Sequence, residues 1–365
     1  MRRKLVAVAT AGLLTLGGLT GCDDNDPSAA SGGGGADKVG VILPDTASSQ
    51  RWGSDDPKLL KAAFEAADVP VDIRNAQGDV KQFARIADEM ITSGVKVLMI
   101  VSLDAASGKA VLDKARAAGV KTIDYDRLTL NGDADYYVSF DNVAVGRLQG
   151  RGLVKCLTAK GADHPRIAYL NGAPTDNNAT LFNEGYNEVL QLRYDDGTYL
   201  KGPEQSVPRW NNDIGRFIFE QMWSQTDGKI DGVLAANDGL GNAAITLLKR
   251  EGVNGTIPVT GQDATVQGLQ NILAGDQCMT VYKPIKKEAD AAAKLAISLF
   301  KDQKPTDLGN PVKDPESGGY VESVLLPPTS IFKKDVSKVI ADGFVDKRTV
   351  CTGIYLKFCA PNGIE

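Results

Sequence analysis

A strand–helix–strand pattern in the second half of the chain constrains its fold more than any other feature. An apolar run over 232–236 ends at Asn237 and Asp238, an Ala- and Leu-rich stretch reaches residue 250, and a second apolar run leads to Asp263. Apolar runs bounded by polar residues are typical of buried strands, and their alternation with a helical stretch predicts parallel pairing. The pattern therefore places polar side chains at the carboxyl ends of two neighbouring strands.

The first half of the chain repeats this pattern. A run over 97–101 leads to Asp104, a helical stretch follows, and a run over 120–124 leads to Asp126 and Arg127. Capping of the following helix is the better explanation for Asp104. Ligands bind beyond the carboxyl ends of the strands in open parallel sheets, so we expect two similar α/β halves with a polar cleft between them. Asp, Asn, Gln and Arg side chains in such a cleft suit an uncharged, hydroxylated ligand.

The remaining periodic segments complete the two halves. Strands are predicted over 38–43, 69–74, 136–140, 166–170, 205–207 and 320–326, and helices over 57–67, 79–93, 145–157, 179–192, 287–300 and 333–341. Arg51, Trp52 and Trp210 fall in predicted loops. Because Pro284 restricts Lys283 to extended geometry, the run over 279–285 is predicted to pass from the second half back to the first as a hinge strand.

Composition sets the broad class. The chain has 365 residues, of which 42% are hydrophobic and 24% charged, which is long enough for two domains. Its formal charge of -5 and the lack of a basic cluster argue against nucleic-acid binding. A transcription factor built on the same core would begin with a basic helix-turn-helix, and no such motif is present.

The first residues predict export. A basic start is followed by an apolar run over 5–19 that is too short for a comfortable membrane span, and Leu19-Thr20-Gly21-Cys22 resembles the bacterial lipobox. Residues 1–22 are therefore predicted to be a lipoprotein signal peptide with acylated Cys22, the alternative being a plain signal peptide with an incidental cysteine. Residues 23–37, rich in Gly, Ser and Asp, are predicted to be a flexible tether. This places the protein on the outer face of the cell membrane.

Four cysteines remain after Cys22, and an even number in an exported chain favours disulfides, with three possible pairings. Cys351 and Cys359 would close a short loop, so we favour that bridge and, by elimination, one between Cys156 and Cys278. Zinc is the weaker alternative, because the single His has no cysteine at ligand spacing. We predict no metal site and no cofactor.

Six short motifs, spread over nearly the whole body of the chain, resemble those of the periplasmic sugar-binding proteins that serve ABC importers. They are Arg51-Trp52, Tyr125-Asp126-Arg127, the run from Gly172 to Ala179, Ala236-Asn237-Asp238, Gly261-Gln262-Asp263-Ala264 and the run from Thr280 to Ile285. Within this ribose/galactose/xylose class, the D-xylose-binding members are the most similar. The segments before Arg51 and before Trp210 depart from the family pattern, which bears on sugar selectivity.

This resemblance implies a type I periplasmic-binding-protein fold, an α/β fold of two Rossmann-like lobes joined by a three-stranded hinge. The N-terminal lobe would comprise 38–141 plus 284–326, and the C-terminal lobe 142–283 plus 327–365. The resemblance also assigns nine ligand contacts, which are Arg51, Asp126, Arg127, Asp176, Asn178, Trp210, Asn237, Asp263 and Lys283. Three Asp side chains against two Arg and one Lys give no net charge, as a neutral ligand requires, and a Trp ring can cover the apolar face of a sugar.

The expected function is that of a lipid-anchored, monomeric receptor that captures a monosaccharide, D-xylose, and delivers it to an ABC permease. Its only membrane contact would be through the anchor. One alternative is a binding protein for another sugar, such as glucose, ribose or arabinose, that presents it to a membrane sensor. A sugar-processing enzyme is the second alternative. It is disfavoured because the acids have basic or amide neighbours, which keeps them ionised, and because a single His leaves no Ser-His or Cys-His pair.

Overall fold

The structure, a computed structural model, describes residues 37–365. The predicted signal peptide, Cys22 and nearly all of the predicted tether lie outside the described residues. Within the described part of the chain, no helix is both long and apolar enough to span a membrane.

Twelve strands form the framework of the described chain. They are β1 Lys38–Leu43, β2 Val71–Asn75, β3 Val95–Ile100, β4 Lys121–Tyr125, β5 Tyr136–Phe140, β6 Arg166–Asn171, β7 Leu200–Ser206, β8 Gly232–Ala235, β9 Met279–Tyr282, β10 Val312–Lys313, β11 Tyr320–Leu326 and β12 Thr329–Phe332. Seven of them form one sheet in the order β10-β11-β5-β4-β3-β1-β2, with every pair parallel except β10 and β11. Apolar residues fill its central strands because helices cover both faces of a parallel sheet.

A smaller parallel sheet has the order β7-β6-β8, and β9 pairs with β12 in an antiparallel ribbon. The segment over 257–263 was predicted to be a strand, and that prediction is wrong in detail. It runs beside β8 but forms only one bridge, between Val233 and Val259. Its carboxyl end hydrogen-bonds to β9 instead, from Val281 N to Gly261 O and from Asp263 N to Val281 O, and Asp263 and Ala264, both with positive φ, then end the extended run.

Twelve α-helices pack on these sheets. They are α1 Arg51–Ser54, α2 Asp56–Glu65, α3 Val80–Thr92, α4 Ala105–Ala117, α5 Asn142–Ala159, α6 Asn177–Asp195, α7 Asn212–Gln225, α8 Asp238–Arg250, α9 Val266–Ala274, α10 Ile285–Phe300, α11 Val336–Ala341 and α12 Lys347–Val350. Arg51 and Trp52 lie in α1 and not in a loop. The capping interpretation of Asp104 is confirmed, because its carboxylate accepts a hydrogen bond from Ser107 N at the start of α4.

The chain passes three times between the large sheet and the rest of the fold. It crosses after β5 into α5, whose apolar face shares a core with β6 and β8. It returns between β9 and α10, whose Ala-rich face shares a core with β1 and β3. It crosses again at Pro327-Pro328, between β11 and β12. Asp141 N donates to Leu326 O at 2.9 Å and so ties two of the crossings together. The lobe boundaries drawn from the sequence stay a prediction.

Two disulfides tie the second part of the fold. The structure pairs Cys156 with Cys278 and Cys351 with Cys359, which is the pairing favoured from the sequence. The first bridge joins the last turn of α5 to the segment that leads into β9. The second closes a C-terminal loop that packs against α9.

Candidate functional site

All nine residues singled out from the sequence line one cavity, whose empty space is about 350 Å³ counting that open to solvent. The structure brings them together from seven separate places in the chain. Arg51 begins α1, Asp126 and Arg127 follow β4, Asp176 and Asn178 begin α6, Trp210 ends a 3-10 turn, Asn237 precedes α8, Asp263 lies between α8 and α9, and Lys283 follows β9. Five further lining residues were not predicted, namely Ser48, Ser49, Trp52, Phe182 and Gln262.

Arg51 is buried and holds three acids at once. Its Nε and Nη2 donate to Asp56 at 2.7 Å each, Nη2 also donates to Glu288 at 2.7 Å, and Nη1 donates to Asp126 at 3.0 Å. The guanidinium lies 4.2 Å from the ring centroid of Trp52, a cation–π contact. A planar fork with several donors suits this arrangement, whereas Lys would act as a point charge. Arg51 therefore fixes the position of the Asp126 carboxylate at the cavity wall.

The sequence did not reveal Asp56 and Glu288, although both are fully buried beside Arg51. Burial raises the pKa of Glu288 to about 8, and the charge of Arg51 opposes that rise. The charge balance drawn from the nine predicted residues thus omitted two buried acids that pair with Arg51.

Asp126 sits at a turn that aims it into the cavity. Asp126 directly follows β4 and has a φ of 65°, which turns the chain out of the strand. Its backbone N donates to Val138 O at 2.8 Å. The side-chain amide of Asn178 donates both to the backbone O of Asp126, at 3.0 Å, and to its Oδ1, at 3.2 Å. Asn142, the first residue of α5, donates in turn to Asn178 Oδ1 at 2.8 Å. Side chains from the two predicted halves thus contact one another at the cavity.

Asp176 connects three functional groups. Its carboxylate caps α6 by accepting from Asn178 N at 3.0 Å, and its Oδ2 accepts from the indole Nε1 of Trp210 at 3.0 Å. Arg127 Nε lies 3.0 Å from the same oxygen. Gly172 lies directly behind the Trp210 ring, so close that a Cβ at this position would overlap it. The ring is therefore held between the Gly172 backbone and the cavity.

Asn237 has two roles in the structure. Its Oδ1 caps α8 by accepting from Leu240 N at 2.8 Å, and the residue also lines the cavity. Within residues 37–365 its Nδ2 group has no hydrogen-bond partner. Capping uses the acceptor and leaves the donor for a ligand. Asp238, the acid of this motif, does not line the cavity and is buried in the protein.

Asp238 anchors the turn that carries Asp263. Its buried carboxylate accepts from Gln277 Nε2 at 2.7 Å, from Thr280 Oγ1 at 2.8 Å and from Thr265 N at 2.8 Å. Burial raises the pKa of Asp238 to about 7, with a further contribution from the charge of Asp263. Asp263 itself has a φ of 99°, a conformation that needs such support in a residue other than glycine.

Lys283 completes the cavity at the crossing between β9 and α10. Its side chain is buried, and its Nζ lies 3.5 Å from Asp263 Oδ1. The rings of Phe140 and Phe182 lie 5.8 and 5.9 Å from the ammonium. Among the described residues, no group of three or more His, Cys, Asp or Glu side chains is placed to hold a metal ion. The cavity offers hydrogen-bond donors and acceptors in fixed positions, with an aromatic ring on one side.

Comparisons with known proteins identify the fold and the family. The family model described as "Periplasmic binding protein domain" matches residues 39–304. The D-xylose-binding periplasmic protein of Escherichia coli K12 is 35% identical over 313 residues, which cover 84% of this chain and 90% of that protein. A multiple sugar-binding periplasmic receptor of Rhizobium radiobacter is 33% identical over 325 residues, covering 84% and 91%.

A solved structure has the same architecture. The carbohydrate transporter solute-binding protein of Chloroflexus aurantiacus, in complex with D-glucose, matches with a TM-score of 0.77 and 28% identity over 84% of this chain and 96% of that one. The fold class predicted from the sequence is confirmed. The chain therefore belongs to the periplasmic binding protein family, whose members bind solutes outside the cytoplasm and are not enzymes, and it has the type I fold of that family.

Proposed function

We propose that the protein is a lipid-anchored, monomeric solute receptor that captures a monosaccharide, D-xylose, between its lobes and delivers it to an ABC permease. The lobes would have the boundaries predicted from the sequence, 38–141 plus 284–326 and 142–283 plus 327–365. The observation that carries the proposal is that polar side chains from both sides of the three crossings surround one cavity.

The chemistry of the lining favours a neutral, hydroxylated ligand. Each sugar hydroxyl donates one hydrogen bond and accepts others, so it can bridge a carboxylate and a basic or amide group. Asp126, Asp176 and Asp263 supply acceptors, and Arg127 and Lys283 supply charged donors. Hydrogen bonds to charged groups contribute about 1.5–3 kcal/mol each. Trp210 offers a flat apolar surface for the C–H face of a sugar ring.

The choice of D-xylose draws support from the relatives. Two proteins that are 35% and 33% identical, from Escherichia coli and Haemophilus influenzae, are D-xylose-binding periplasmic proteins. A further relative is named as a multiple sugar-binding receptor, and the similar solved structure holds D-glucose. Glucose differs from xylose by one hydroxymethyl group, so one side chain that blocks that group would be enough to select xylose.

Capture follows from contacts that both lobes share. With the lobes apart, each presents half of the hydrogen-bonding groups, and the sugar completes both sets only when they close. A ligand that contacts both lobes favours the closed state in proportion to those additional contacts. Rotation at a few crossing segments is the usual form of such a closure. The permease would then recognise the closed surface.

Titration calorimetry of the mature protein with D-xylose, D-ribose, L-arabinose and D-glucose tests the proposal. We expect D-xylose to bind with micromolar or tighter affinity and the others more weakly. Preference for glucose would change the ligand but keep the receptor function. Absence of binding to every sugar would remove the proposed function.

Cell fractionation tests the anchor separately. The Cys22→Ser variant should move from the membrane fraction to the soluble fraction, because it lacks the cysteine that the lipobox resemblance assigns to acylation. An unchanged membrane fraction would contradict the anchor and leave sugar binding untouched.

Loss of D-xylose uptake in cells that lack the permease genes, with the receptor present, would separate delivery to a permease from presentation to a membrane sensor.

A further inference from the structure

A second hollow adjoins the cavity on the side of Lys283. The two spaces share Ser49, Arg51, Asp263 and Lys283 in their walls. Counting space open to solvent, the second hollow is about 850 Å³ and the first about 350 Å³. Both spaces therefore abut the same four side chains, and a ligand in the first space lies next to the second.

The second hollow is amphipathic in the way that sugar sites are. Gln50, Ser54, Thr265 and Thr349 offer neutral donors and acceptors along its walls. Phe344 supplies an aromatic surface and is held in place by an edge-to-face contact with Tyr282, with ring centroids 5.0 Å apart. Hydroxyl and amide groups together with an aromatic ring match the hydroxylated edges and C–H faces of a saccharide.

Lys283 points to a ligand at the border of the two spaces. The residue is 5% exposed, and within residues 37–365 its ammonium has one polar partner, Asp263, at 3.5 Å. An ammonium carries three donors, and burial of a charge with so few hydrogen bonds is costly. Groups of a ligand that spans both spaces would satisfy the remaining donors.

The charge of the walls excludes an acidic extension. Asp55, Asp263 and Asp346 line the second hollow, and its basic groups are Arg51 and Lys283. A carboxylate or phosphate in this space would therefore meet more negative than positive groups. A neutral extension has no such repulsion.

The wall formed by the C-terminal segment is fixed to the rest of the fold. Gln270 Nε2 donates to the backbone O of Thr349 at 3.0 Å and to that of Val350 at 3.2 Å. The bridge between Cys351 and Cys359 follows directly. The opposite wall, over 49–55, belongs to the other predicted lobe. Lobe closure would therefore enclose a ligand in both spaces.

We propose that the second hollow binds a second, glycosidically linked neutral sugar unit, so that the cleft accepts a disaccharide as well as a monosaccharide. This inference rests on the proposed function, because the first ring would occupy the cavity described above. It assigns Thr265, Thr349 and Phe344 to the second ring, and Lys283 to both.

Calorimetry with D-xylose and xylobiose tests the inference, and D-glucose with cellobiose serves as the pair if glucose is the preferred monosaccharide. In the wild-type protein we expect the disaccharide to bind within about ten-fold of the monosaccharide. Thr349→Trp, at an exposed position, should fill the hollow and weaken disaccharide binding by at least about ten-fold, with monosaccharide affinity changed by less than about two-fold. Lys347→Trp, which adds the same ring outside the hollow, is the matched control.

The outcomes distinguish failure of the second sugar subsite from failure of the proposed receptor function. Binding of the monosaccharide without the disaccharide would overturn the second subsite and leave the receptor function in place. Wild-type disaccharide affinity in Thr349→Trp, and also in Ser54→Trp from the opposite wall, would likewise overturn it. Absence of binding to all four sugars would end both proposals. Monosaccharide binding by each variant also reports that the variant is folded.

Discussion

Arg127 and Asp176 form an ion pair across the cleft, with Arg127 Nε 3.0 Å from Asp176 Oδ2. Their side chains are 9% and 5% exposed, so solvent screens the pair very little. Arg127 follows β4 of the large sheet, and Asp176 begins α6 above the small one. The same carboxylate oxygen accepts from Trp210 Nε1. One acid thus links the two sides of the cleft and orients the aromatic ring that we assign to the sugar.

Replacement of Arg127 tests this link. Arg127→Met keeps the apolar stem but removes the charged donor and leaves Asp176 buried with less compensation. We expect D-xylose affinity to fall by about 2–4 kcal/mol, as for other broken buried pairs. Calorimetry measures this change. Arg85→Met, on the exposed surface of α3, is the control and should bind as the wild type does. Equal affinity of the two variants would show that Arg127 has no role in binding.

Trp210 should contribute to D-xylose affinity through the apolar area of the sugar that its ring covers. Trp210→Ala removes the ring and its hydrogen bond to Asp176, and we expect D-xylose affinity to fall by about 1–3 kcal/mol. Trp223→Ala is a suitable control because that ring packs against the core away from the cavity. It should lower the midpoint of thermal unfolding without a change in affinity. The opposite pattern, with affinity sensitive to Trp223 and not to Trp210, would contradict the site.

Gly172 should act through Trp210. A Cβ at position 172 would overlap the indole ring, so Gly172→Ala should displace the ring from the cavity wall and weaken D-xylose binding by about ten-fold. The effect should disappear when Trp210 is already alanine, since the two residues would then no longer contact each other. Calorimetry on the two single variants and the double variant measures the coupling. Additive effects would mean that Gly172 acts by another route.

The pKa of Asp238, raised to about 7 by burial, makes stability depend on pH. An aspartate in an unfolded chain has a pKa of about 3.9, so the folded protein binds this proton more tightly. The stability that the bound proton contributes is fully present below about pH 4 and is lost as pH rises towards 7. Burial also raises the pKa of Asp124 to about 7, which acts in the same direction.

We therefore expect the free energy of unfolding of the wild-type protein to decrease as pH rises from about 5 to about 7.5. Asp238→Asn should make this decrease shallower, because one of the protonating groups is gone. Urea denaturation at several pH values provides the slopes. Parallel slopes for the two proteins would contradict the protonation of Asp238. The variant should also bind D-xylose more weakly, since Asp238 supports the turn that carries Asp263.

The strand ends could be predicted from the sequence because their chemistry is local. Apolar runs that end in Asn237-Asp238 or lead to Asp126-Arg127 identify positions at one edge of a sheet, and the resemblance to a known family added the positions on helices and turns. Both kinds of residue line the same cavity in the structure, except for Asp238, whose side chain is buried in the protein interior. The α1 helix was missed because four residues are too few to show a helical period.

The acids beneath the cavity could not be found in the same way. In the sequence, Asp56 is an ordinary acid at the start of a helix. Glu288 lies in an Ala-rich helix for which the sequence predicts no functional role. Their function comes from pairing with Arg51, and Glu288 is 237 residues from Arg51 along the chain. Contacts of such long range follow from the packing of α10 on the large sheet, which no local pattern encodes.

A crystal structure of the mature protein with D-xylose tests the central claim most directly. The account predicts one sugar ring between the lobes, hydrogen-bonded to Asp126 or Arg127 on one side and to Asp176, Asn237 or Asp263 on the other, with Trp210 against its C–H face. A sugar bound elsewhere, or bound by residues of one lobe alone, would contradict it.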